Sequence, residues 1–144
     1  YWRFIVDSVE NMMECLSGLR EDELNWRPLD TANSLYVLST HTMGNIEQNV
    51  YGGICDQPFH RDRQAEFEAK WESTRDIKNH WEKLRDQIST CLEEAPATRL
   101  DRKKNYPGLG LMTGRETLII VARHAAEHLG HAELTLDILK LNRS

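Results

Sequence analysis

Three of the six histidines fall in one short run, Arg123-His124-Ala125-Ala126-Glu127-His128-Leu129-Gly130-His131. On a helix, His124 and His128 stand one turn apart on one face, and His131 follows three residues later. The stripe through them, Thr117, Val121, His124, His128, His131, Thr135 and Ile138, begins and ends among core-type positions. The imidazoles are therefore expected to point inward. A buried neutral imidazole needs a partner for each ring nitrogen. A backbone or amide group can satisfy one such histidine. Three on one stripe are hard to satisfy that way. A divalent ion satisfies them together, with each second nitrogen bonded to a carboxylate or carbonyl.

A further ligand has to come from another helix. His41 sits on the expected inner stripe of the second helix, between Leu38 and Asn45. It lies ~12 Å from the start of its helix and His124 ~14 Å from the start of its own, so both are at similar depth. His41, His124 and His128 are thus the expected ligands of one divalent ion with at least one position left open. Imidazole suits zinc, nickel and iron alike. His131 and Asn45 are the candidates for handling protons or supporting the ligands. His60, beside Arg61 and Arg63, and His80, beside Trp81, are expected at the surface. The spacing of His124 and His128 matches the zinc-peptidase pattern H-E-x-x-H, but Ala125 stands where that chemistry needs its glutamate base. Peptidase activity is disfavoured.

The elements that must position these residues read as four helices. Trp2, Ile5, Val9, Met12, Leu16 and Leu19 step by three and four over residues 1–19, closed by Gly18 and the turn-like Arg20-Glu21-Asp22. Leu24 to Pro28 reads as extended, since Pro28 biases Arg27 away from helix. Asn33 or Ser34 caps the second helix, whose inner stripe is Leu35, Leu38, His41 or Thr42, Asn45 and Asn49, and which ends near Tyr51 at Gly52-Gly53. A near-heptad seam of Phe67, Trp71, Thr74, Ile77 or Lys78, Trp81, Leu84, Ile88 and Leu92 predicts one long third helix over 64–94, stopped by Pro96. Residues 97–114, with Pro107 and the basic residues Arg99, Arg102, Lys103 and Lys104, read as a long connection with at most a short extended stretch. The fourth helix runs from about Thr113 to Leu141. The fold class that follows is all-α, a single four-helix bundle over residues 1–144 with a long loop between the third and fourth helices.

Composition narrows the partners. The chain has 144 residues and a formal net charge of −5, the wrong sign for a general nucleic-acid binder. No apolar run approaches the ~20 residues of a membrane span. Arg3, Asp7, Glu10 and Glu14 leave no signal-peptide core in the first twenty residues, which begin at Tyr1 rather than Met. Cys15, Cys55 and Cys91 are odd in number and far apart, and read as free thiols in a reducing compartment, the cytoplasm. Four tryptophans suggest apolar surface for a homodimer, with Trp2 and Trp71 as contacts, against the alternative that all four pack inside.

Taken in order, Leu24-Asn25-Trp26-Arg27-Pro28, Asn33-Ser34-Leu35, His41-Thr42 and His124 to Leu134 resemble the DinB/YfiT-like superfamily, and most of all its thiol-dependent transferase branch, which includes mycothiol- and bacillithiol-dependent enzymes. The resemblance spans nearly the whole chain. It implies a helical bundle holding one divalent metal through three residues that map to His41, His124 and His128, with His124 where the mycothiol branch often has glutamate. It further implies a metal-dependent thiol S-transferase acting on small electrophiles, with a low-molecular-weight thiol as second cofactor. Arg99, Arg102 and Lys103 could then meet the carboxylates of an anionic thiol, or form no more than a solvated loop. The alternatives are a non-catalytic or stress-related metal-binding bundle and a metal-dependent hydrolase.

Overall fold

The computed structural model describes residues 1–70 and 74–143. Helix α1 spans Trp2–Leu16 and buries Ile5, Val9, Met12 and Leu16, the stripe its spacing predicts. Gly18 ends it with φ +73, a backbone conformation that costs glycine nothing. The turn-like residues after it instead form a short helix, α2, Glu21–Leu24, which drives Leu24 fully into the core. Helix α3, Leu35–Ile46, is capped by the Ser34 hydroxyl, which accepts from the Val37 amide. It runs on without a break as a π-helix over Glu47–Ile54. The Gly52-Gly53 pair does not end the helix. It admits two aromatic rings instead, Phe59 against Gly52 and Tyr106 against Gly53, where a Cβ would collide.

The expected third helix is two helices. Helix α4 is Arg63–Glu68, started by the Asp62 carboxylate accepting from the Ala65 amide, and α5 is Thr74–Glu94. Ala69 is extended between them. The apolar seam was continuous enough to hide this break, but Phe67 serves a different neighbour from Ile77, Trp81, Leu84 and Ile88, which are buried. Trp71 lies outside the described residues. Trp2 is engaged within the chain: its indole Nε1 donates to Ser89 Oγ at 2.9 Å and its ring lies 6.2 Å from that of Trp81.

Pro96 stops α5 as expected and starts α6, Ala97–Asp101. The long connection then corrects to a hairpin, with β1, Lys103–Tyr106, antiparallel to β2, Gly110–Thr113, and Tyr106 opposite Gly110. Gly108 (φ +76) and Gly110 (φ +87) make its turn. The strands have no apolar alternation. They are fixed by Tyr106, which is buried, and by Lys104, whose Nζ donates to Gly53 O and Asp56 Oδ1, each at 2.6 Å. Thr113 and Glu116 form a capping box for α7, Gly114–Asn142.

The fold is thus mostly helical with one small hairpin. Helix α1 packs against α3, α5 and α7, and α3 against α7, so the elements that carry His41 and the run His124, His128 and His131 face each other. No helix among the described residues is long and apolar enough to cross a membrane.

Cys55 and Cys91 form a disulfide that closes a separation of 36 residues and ties the end of the π-helix to α5. The expectation of three free thiols is corrected: only Cys15 is free, and buried. Disulfides persist in oxidising surroundings, so the argument from free thiols to a reducing cytoplasm rests on Cys15 alone. Distance along the chain concealed the pair, because the π-helix and α5 bring the two cysteines together only in three dimensions. Replacing both by serine should lower unfolding stability by about 4 kcal/mol, the order expected for a loop of this length, measured by urea unfolding, with a steeper slope because the uncrosslinked chain unfolds further.

Candidate metal centre

Helices α3 and α7 bring His41, His124 and His128 into one cluster whose candidate ligand atoms all lie within 4.8 Å of one another. His124 Nε2 is 3.1 Å from His41 Nε2 and 3.1 Å from His128 Nε2. Three nitrogens on a tetrahedral zinc ion with Zn–N of about 2.0–2.1 Å would be ~3.3 Å apart. The cluster is therefore already close to ligand spacing.

Hydrogen-bond arithmetic shows why imidazoles alone do not fit. His41 Nδ1–H donates to Glu66 Oε1 at 3.1 Å, so its Nε2 faces the other rings as a bare lone pair. The Nε2 of His124 can donate to one neighbour only. At least one of the two 3.1 Å approaches is then left without a hydrogen bond. The Nδ1 atoms of His124 and His128 are buried with no hydrogen-bond partner among the described residues. A cation at the convergence point gives all three Nε2 atoms a common partner.

Glu66 was not singled out from the sequence. It is buried, and Arg61 holds it from the other side, Nε to Oε2 at 2.8 Å and Nη2 to Oε1 at 3.0 Å. Arg61, the neighbour of His60 in the sequence, has a side chain only 10% exposed. Gly44, one turn beyond His41, has no side chain because the Glu66 carboxylate fills that space. The only signal for Glu66 lay in the general requirement that a ligating histidine have a carboxylate behind it. Phe67, next along α4, lies 4.9 Å from the His41 ring.

Electrostatics keep the cluster neutral. Burial, then the nearby His128 and His41, push the His124 pKa down to about 3. Burial, then His41 and His131, push His128 down to about 4. Burial also lowers His41, outweighing the pull of Glu66. Neutral imidazole is the form that a metal requires.

The remaining expected residues are placed differently. His131 is exposed, its ring 5.5 Å from that of His128, so the inward stripe fails at this residue. At about 100° per residue, the buried arc of Leu118, Val121, Ala125, Ala132 and Leu139 is centred about 80° from His124, and His131 lies a further 20° out. The histidines sit on the shoulder of the buried face, where they are partly open. Asn45 is half-buried on α3 with its Oδ1 unpaired among the described residues. Arg99, Arg102 and Lys103 are not brought to the histidines. Arg99 Nη1 lies 4.0 Å from Cys91 Sγ, and Arg102 pairs with Asp56 at 3.1 Å. Leu100 packs on Gly114, ten residues or ~15 Å of helix before His124. Lys103 is on the hairpin. His60 and His80 are exposed as expected, with His80 Nε2 3.4 Å from Glu47.

A sequence-family model described as the DinB superfamily matches residues 6–132. Comparison with curated proteins gives no match.

Two outcomes follow from the geometry. Glu66→Gln, which keeps the shape and loses the charge, should weaken binding of zinc by about 10–100-fold, read by competition with a chromogenic chelator. The second concerns pH. The folded pKa values of about 3 for His124 and about 4 for His128 lie below the ordinary 6.5. Below pH 6.5 the unfolded chain therefore takes up protons that the folded chain refuses. The metal-free protein should lose stability as pH falls from 7 towards 4, and His124→Gln should flatten that slope in urea midpoints taken in chelator.

Proposed function

Since the chain belongs to the DinB superfamily, we propose that it is a divalent-metal-binding protein whose histidine centre activates a low-molecular-weight thiol for transfer to a small electrophile. The observation that carries the metal reading is the convergence of three neutral imidazoles with one buttressed by a buried carboxylate. A divalent ion held by neutral ligands keeps its full charge and so lowers the pKa of a thiol or water that binds it.

The chain's own residues supply the setting. Glu66 and Arg61 fix the tautomer and direction of His41. Phe67 covers one side of that ring and keeps water from it. His131, exposed beside His128, can exchange a proton with solvent at the mouth of the site. The Oδ1 of Asn45, buried and without a partner among the described residues, is available to accept a hydrogen bond from a donor that reaches it. Ala125 is fully buried, so no base stands at the position a zinc peptidase would use. That absence favours a nucleophile brought by a second molecule. Zinc, nickel and iron all suit the ligand set.

The placement of Arg99 and Arg102 away from the histidines favours a second reading, a metal-binding bundle without thiol chemistry. One experiment separates the two. Metal-loaded protein is incubated with a panel of small thiols and a chlorinated or epoxide electrophile. Thiol transfer gives conjugation above the spontaneous rate that vanishes in His128→Ala. Equal rates in both proteins with every thiol leave the non-catalytic reading, and turnover of activated esters without thiol would assign a hydrolase.

A further inference from the structure

A cavity of about 640 Å³ opens between the end of the π-helix, α5 and α6, and both cysteines of the disulfide form part of its wall. Its size lies in the range of small-molecule sites. The two sulfurs are not equivalent. Cys55 is only 3% exposed, whereas Cys91 is half-buried. The accessible sulfur has a cation beside it, Arg99 Nη1 at 4.0 Å. Arg99 makes no ion pair among the described residues, unlike Arg102 and Lys104, which both pair with Asp56. Its charge is therefore available to a ligand. Glu94 brings a carboxylate to the same wall, and Asp86 a second one that is already paired with Arg85 Nε at 3.1 Å. The cavity thus offers one free guanidinium beside a reactive bond, with acidic groups around it.

We propose that the Cys55–Cys91 disulfide is an exchange site for a small amino-acid-type thiol, with its carboxylate on Arg99 and its ammonium facing Glu94. The incoming thiol gives up its proton, and its sulfur attacks Cys91 Sγ. A new S–S bond forms to Cys91 as the Cys55–Cys91 bond breaks. The electron pair leaves on the Cys55 sulfur, which takes up a proton. A second thiol then attacks the sulfur of the first, releasing the oxidised disulfide of the small thiol and leaving Cys91 as a thiolate beside Arg99. Two thiols are oxidised and one protein disulfide is reduced. Arg99 acts at both stages, holding the carboxylate of the incoming thiol and stabilising the Cys91 thiolate. The site stands apart from the histidine centre and does not rest on it.

The test uses the intact protein with glutathione and, at matched thiolate concentration, uncharged 2-mercaptoethanol. Disulfide opening is followed by alkylation and peptide mass mapping. Glutathione should open the bond about tenfold faster, because the carboxylate–guanidinium contact holds its thiol beside Cys91, and the mixed disulfide should map to Cys91. Arg99→Gln should remove that advantage with the circular dichroism and metal content unchanged. Equal rates for the two thiols in the unaltered protein, or a glutathione adduct on Cys55, would overturn the proposal.

Discussion

The carboxylate of Glu66 has almost no water around it, and its oxygens are shared between the His41 imidazole and the Arg61 guanidinium. A buried carboxylate left alone would cost several kcal/mol, so this one persists only because both partners are in place. The same bonds join α4 to α3 and decide which nitrogen of His41 faces the cluster. Once that proton is fixed on Nδ1, the three Nε2 atoms cannot all be satisfied by one another. A polar network that is complete on one side and incomplete on the other is costly as it stands. The incomplete side is where a cation fits.

Much of this could be read in the sequence because a helix repeats every 3.6 residues. The spacing of His124 and His128 placed them together, and the position of His41 on its own stripe placed it at matching depth. The same periodicity misjudged His131. Spacing tells which residues share a face. It does not say where on that face the neighbouring helices stop covering it, and the histidines lie on its shoulder. Glu66 and Arg61 were beyond reach for another reason. Their roles arise from contacts between α3 and α4, and the apolar seam made α4 look like the first turns of a longer helix.

The other departures share a cause: each depends on residues far apart in the chain. The hairpin is held by Tyr106 against Gly53 and by Lys104 on the end of the π-helix, not by strand propensity. The disulfide joins that same helix end to α5. Together they give the molecule a second polar region, separate from the histidines, in which the basic residues of the connection find their partners. Arg102 and Lys104 do so on Asp56, whereas Arg99 faces the sulfur of Cys91.

Gly44 has a consequence for how such a site can drift in evolution. The absent side chain at 44 and the carboxylate at 66 occupy one volume, so the two positions are not free to vary separately. A lineage that gains a methyl group at 44 must move or give up the acid, and with it the support behind His41. Once the acid is gone, nothing selects for a glycine in the middle of a helix, where it weakens the backbone. Loss of the pair would then tend to be one-way, and the ligand histidine could outlast the residues that once aimed it.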